Sequence, residues 1–144
     1  MANRDQKIEA IVESIGLLHG CWQDPESDAY QLKSPLLLRS FARAGKHETD
    51  EQGRRIFPSM LSGFKASTYD ALLKISGNSR AGLKPETDTL LNLLRVYGIT
   101  EGLAHKKAVN FLRKSLKNPD LSLDTKLSYF LGSDLPVQLM DKDK

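Results

Sequence analysis

Histidine is the side chain best suited to acid–base work near neutral pH, and the chain holds three: His19, His47 and His105. Cys21, the single cysteine, stands two residues from His19. On a helix the two point to different sides and form no local nucleophile–base pair. His19 falls on an apolar helical arc and reads as a core-edge histidine with one ring nitrogen satisfied, Cys21 as a small buried hydrophobe. His47, Glu48, Asp50 and Glu51 gather donor atoms in one stretch, without the spacing of a calcium loop or a zinc-binding helix. Glu9 and Glu13 share a helix face, a pattern typical of solvated surface. The stretch "GNSRAG" has two glycines but no GK[ST], and it follows a helix rather than a strand, so it is a turn and not a phosphate cradle. The expectation is a protein that is not an enzyme, with no catalytic residue, no metal and no cofactor.

The residues that do suggest chemistry are cations. "HKKAVNFLRKSLK", His105 to Lys117, carries five in thirteen residues. At about 100° per residue, with Leu103 as zero, Arg113, Lys106, Lys117, Lys114 and Lys107 fall between about 280° and 40°. Phe111, Ala108, Leu112, Leu116 and Val109 fall between about 80° and 240°. One stripe is cationic and the other apolar, with no acid on the cationic side, whereas solvated faces normally mix both signs. Arg39, Arg43, Arg54, Arg55, Lys65, Arg80 and Lys84 also lie outside the apolar arcs and extend the positive surface. Lysine and arginine contacts to phosphate position a nucleic acid without reading its sequence. Phe111 is assigned to the core, leaving Tyr69 and Tyr97 as the candidate stacking residues.

The elements that position these residues read as helices throughout. Ile8, Ile11, Val12, Ile15, Leu18 and Trp22 recur at helical spacing and predict an amphipathic helix over 5–23. A loop follows, "DPESDAYQLKS". Ser34 and Pro35 are the N-cap and first residue of a second helix, "PLLLRSFARA". "GKHETDEQGRR" reads as an exposed, moving connection. A third helix runs from Phe57 to Gly77. A fourth lies between Pro85 and Gly98, and the width of its apolar face marks it as the most buried. Thr100 caps the fifth, cationic helix, which Asn118 and Pro119 stop, and a short sixth helix covers about 121–131. Sustained apolar–polar alternation is lacking, so the fold class is all-α: a compact bundle of five to six helices. One domain spans 1–133 and a flexible tail 134–144.

Charge is unevenly placed. Residues 1–30 hold two cations against six acids, net −4, and residues 33–117 hold sixteen cations against seven acids, net +9. A basic middle points to phosphates, acidic proteins or an anionic membrane surface, the last disfavoured because the apolar side of the fifth helix is needed for the core. The acidic first helix is suited to dock on a basic neighbour. The lone cysteine, and the absence of a secretory start or an apolar run of about 20 residues, predict a cytoplasmic protein with no membrane partner. "GLKPETDTLLNLLRVYGI" looks like the closing portion of phage-repressor-type helix–turn–helix domains. The preceding "LKISGNSRA" is too short and too rich in glycine and serine for the helix that enters the groove. A DNA-binding regulator, and an adaptor that binds an acidic protein, are the alternative readings.

The segments "SPLLLRSFARAG", "KHETDEQGRRIFPSML", "FKASTYDALLKI" and "KKAVNFLRKSLK", with the acidic first helix and cationic middle, resemble the small subunit of CRISPR type I effector complexes, the assemblies called Cascade. The likeness is to the version found with type I-D or I-B systems. It spans most of the chain as an arrangement of helices and charge, not as a signature motif. The resemblance implies a non-catalytic subunit, present in several copies, that contacts further copies of itself and other subunits. Its basic surface would lie against the backbone of the guide RNA, target or displaced DNA strand.

Overall fold

The computed structural model describes residues 2–39 and 48–132. The chain is all-α as the periodicity predicts. Among the described residues there are five α-helices: α1 (Arg4–Leu18), α2 (Asp28–Leu32), α3 (Met60–Ile75), α4 (Leu90–Val96) and α5 (Gly102–Ser115), closed by a 3-10 helix over Leu127–Leu131. α1 is the axis of the bundle, packing against α3, α5 and the 3-10 helix. Asn3 and Gln6 start it with a reciprocal capping box, side chain to backbone in both directions at 2.9 and 3.0 Å. Its Ile8, Ile11, Val12 and Ile15 are buried, as the helical spacing predicts.

α1 ends four residues earlier than Trp22. The chain reverses beyond His19, and Trp22 folds back over the helix so that its Nε1 donates to the Glu13 carbonyl at 2.9 Å. Gly16 makes this possible, because a β-carbon there would stand 2.6 Å from the indole ring. The expected loop at 24–34 contains a helix, α2, capped by Ser27. The helix expected from Pro35 is replaced, over 35–39, by a turn. Ser34 does act as a cap, with its Oγ accepting from Leu38 N at 2.9 Å, but Leu37 takes a left-handed backbone at φ 53° and the chain turns away. The Leu38 carbonyl is then free to accept from Arg55 N at 2.9 Å, and Arg39 bridges Arg54. Most of the connection read as moving, 48–55, is thus an ordered hairpin held to the 38–39 segment. Asp50 organises its turn by accepting from the amides of Gln52 and Arg54.

α4 starts at Leu90 and not at Pro85. The backbone groups of 85–91 are engaged by the chain's end instead: Ser128 N donates to the Pro85 carbonyl, Leu127 N to Asp88, Leu90 N to Thr125 and Leu91 N to Leu123. Pairing with 123–128 outweighs local helix propensity. Leu90, Leu93 and Leu94 are fully buried, while Val96 at the helix end is 41% exposed. At α5 the N-cap position is Glu101 rather than Thr100, with no side-chain capping bond, and of the sixth helix only the 3-10 turn forms. Residues 76–89, between α3 and α4, hold turns and no α-helix. Arg43, His47 and the expected tail at 134–144 lie outside the described residues.

Candidate nucleic-acid interface

α5 sorts its faces as the sequence predicts. Ala108, Val109 and Leu112 are buried, with His105, whose Nε2 meets the Ile99 carbonyl at 2.8 Å. Lys106, Lys107, Arg113 and Lys114 are exposed, and Lys117 follows with a left-handed backbone at φ 51°. No ion pair among the described residues involves any of these five. Lys106 and Arg113, like Lys107 and Lys114, stand seven residues apart with Asn110 between the pairs. At about 10 Å, two such charges repel by only about 0.4 kcal/mol in water, so the helix tolerates the stripe without acids.

Helix stability explains two of the five cations in this stripe. Arg113 and Lys114 occupy the last turn, where cations favour the helix dipole. Lys106 and Lys107 sit in the first half and gain nothing from it, and no acid occupies the first turn. Arg113 is also anchored, its Nε donating to the Leu121 carbonyl at 2.6 Å. That bond fixes the guanidinium and leaves its charge unneutralised.

Phe111 does not face the core. It is half-buried and lines an open groove of about 530 Å³ with Trp22, Phe64, Leu17, Met60 and Leu61. The Trp22 and Phe64 rings are tilted at 56° with centroids 6.2 Å apart, and Leu61 is 63% exposed. Phe111 lies one helical turn from Lys107 and Lys114, so the aromatic groove and the cationic stripe share an edge. The signal was present in the sequence: at about 80°, Phe111 stands at the limit of the apolar arc nearest Lys107, at about 40°. Glu13 forms the groove's acidic rim, its pKa raised by burial and further by the charge of Glu9.

The remaining cations divide. Lys65 on α3, and Arg80 and Lys84 in the 77–88 connection, are exposed. Arg54 is not a free cation. Its side chain is 14% exposed, with Nε 2.8 Å from Asp50 and Nη2 3.0 Å from Asp28. The sequence hid this because Asp28 lies far upstream and Asp50 in the stretch read as mobile. The Asp50 carboxyl is held below its usual range, first by the Arg54 amide. Arg39 donates to the Gln52 carbonyl at 2.8 Å, and the Arg55 guanidinium rests 4.6 Å from the Phe57 ring. Of the predicted residues that are described, Arg54 is neutralised by carboxylates, and the five of the α5 segment share one run of chain.

His19 and Cys21 serve the packing of the bundle. His19 caps the end of α1 and its Nε2 meets the Tyr97 carbonyl at 3.0 Å, while burial pushes its pKa down. Cys21 is buried and its thiol is pushed up to about 11 by burial. Tyr97 is closed to stacking: it is 8% exposed, and its hydroxyl donates to Asp70 at 2.6 Å. Tyr69, at 64%, is open. Sequence reasoning missed Lys7, which lies on the buried side of α1 at 1% exposure. Among the described residues no cluster of histidine, cysteine, aspartate or glutamate is placed to hold a metal ion, and no helix is long and apolar enough to cross a membrane. No protein-family model, curated protein or solved structure matches the chain.

Proposed function

We propose that this protein is a non-catalytic subunit that holds a single-stranded nucleic-acid backbone on the α5 face, in an RNA-guided assembly of the kind its helices resemble. The observation that carries this reading is the run Lys106, Lys107, Arg113, Lys114 and Lys117, all exposed and none paired with a carboxylate among the described residues. The edge shared with Phe111 favours a single strand over a duplex, because unpaired bases stack on aromatic side chains while phosphates track the cations. A sequence-specific helix–turn–helix reading has less support, since residues 76–89 contain no α-helix to enter a groove. An adaptor role for an acidic protein is the second reading, favoured by the apolar groove beside the cations.

The test is oligonucleotide binding as a function of salt. Five backbone contacts give a log–log slope of about −3.5 on single strands, a loss of about a hundredfold in affinity between 50 and 200 mM salt. The variant K106E/K107E/K114E changes exposed side chains only. It should retain its helical circular dichroism and lose most of the affinity and most of the slope. Wild-type binding by this variant, or a flat salt response, refutes the reading. Capture of an acidic polypeptide that survives nuclease treatment would support the adaptor in its place.

A further inference from the structure

A second cavity, about 490 Å³, opens where the 36–39 turn, the 48–56 hairpin and the ends of α3 and α4 converge. Its size is typical of small-molecule sites. Four cations line it, Arg39, Arg54, Arg55 and Lys74, against one carboxylate, Asp70. Two of the four are neutralised: Arg54 by Asp28 and Asp50, and Lys74 by Asp70, whose Oδ2 lies 2.5 Å from its Nζ and also accepts from the Tyr97 hydroxyl. Arg39 and Arg55 have no carboxylate partner among the described residues. The Arg55 Nε is buried and has no hydrogen-bond partner among the described residues. Native structures seldom leave a buried charged donor without an acceptor, and none of the described residues supplies one here.

The two guanidiniums are brought together by backbone pairing. Arg39 bridges Arg54, and the Arg55 amide donates to the Leu38 carbonyl at 2.9 Å, so both side chains leave adjacent segments. Each is also braced, Arg39 on the Gln52 carbonyl and Arg55 on the Phe57 ring. Two braced guanidiniums match a dianion with several oxygens better than a monoanion, and arginine is the residue that grips phosphate through paired N–H donors. Leu37, Leu38 and the 41% exposed Val96 add an apolar wall to the same cavity.

We propose that this cavity binds a small organic phosphate, with Arg39 and Arg55 holding the phosphate dianion and Leu37, Leu38 and Val96 contacting its organic body. The site lies on other elements than α5 and stands independently of the nucleic-acid reading.

The experiment is titration of the full, ¹⁵N-labelled chain with inorganic phosphate and with phenyl phosphate at constant ionic strength, using chloride as control. The expected result is saturable shifts at the Arg55 Nε–H and at the amides of Leu38, Arg39, Arg55 and Gly98. Phenyl phosphate should bind about tenfold more tightly than inorganic phosphate, as a buried apolar body requires. Arg39→Gln and Arg55→Gln should each weaken binding about tenfold or more. Arg39 is exposed, so its variant keeps the test valid if Arg55→Gln fails to fold. K106E/K107E/K114E should bind both anions like the wild type. Shifts that never saturate, shifts centred on α5, or wild-type binding by Arg39→Gln overturn the site; equal affinity for the two phosphates overturns its organic ligand.

Discussion

Lys7 offers a sharp test of how the bundle is closed. Its Nζ donates to the carbonyls of Tyr129 and Gly132 at 2.9 and 2.8 Å and lies 3.9 Å from the centre of the Tyr129 ring. It therefore ties the central helix to the end of the 3-10 helix. Lys7→Met keeps the apolar stem and removes the ammonium. Each hydrogen bond from a charged group contributes about 1.5–3 kcal/mol, and a desolvated cation–ring contact about 2 kcal/mol. Against these stands the cost of burying the ammonium, several kcal/mol, which the variant no longer carries. The two carbonyls left without a donor decide the balance, at about 1–3 kcal/mol each. The net expectation is a loss of about 2–4 kcal/mol, or roughly 10 °C in Tm for a domain of this size. Thermal and urea unfolding followed by circular dichroism measure it, and hydrogen exchange should show the amides of 127–132 losing protection first. A variant as stable as the wild type would mean that desolvation cancels the contacts, and the reasoning would fail.

Two further perturbations probe the packing around α1. Gly63→Ala should cost about 3 kcal/mol in urea unfolding, although alanine is the better helix former: its β-carbon would lie on the Lys33 carbonyl oxygen, where backbone must shift; a stabilised variant refutes that close approach of α3 to the end of α2. His19 gives a pH test. Burial outweighs its bond to the Tyr97 carbonyl and holds its pKa below the ordinary 6.5, so the unfolded chain takes up more protons in acid. Stability is fully present above pH 6.5 and falls as the pH drops through the lower folded value. Urea midpoints from neutral pH down through the histidine range should show this decline, flattened in His19→Gln; an identical decline in the variant removes His19 as the cause.

What was legible in the sequence is what depends on neighbours within a helical turn or two. The apolar row of α1 and the buried and cationic rows of α5 follow from 3.6-residue periodicity. The misread segments are those whose backbone bonds go to distant chain. Ser34 and Pro35 carry a true cap signal, yet the Leu38 carbonyl is taken by Arg55. Pro85 carries a true helix-start signal, yet 85–91 is paired with 123–128. The site shows the same division. The stripe on α5 could be read from spacing, whereas the neutralisation of Arg54 needs Asp28, and the bridge that sets Arg39 beside the 54–55 segment needs the hairpin.

The two basic surfaces should answer to different partners because their charges are arranged differently, not because one carries more. Along α5 the cations follow one another down an exposed helix face, where water and salt, with a Debye length of about 8 Å, weaken the hold of any one of them on a small anion. Only a ligand whose own negative charges repeat along its length engages several at once and releases several counterions, which is why a polyanion fits and why its affinity falls steeply with salt. Arg39 and Arg55 differ: both line one cavity, and a donor of Arg55 is already out of water. There the dielectric is lower, screening is weaker, and a single dianion can meet both. Binding at the cavity should accordingly change little over the salt range that abolishes binding on α5, so one salt titration with both kinds of ligand separates the two surfaces.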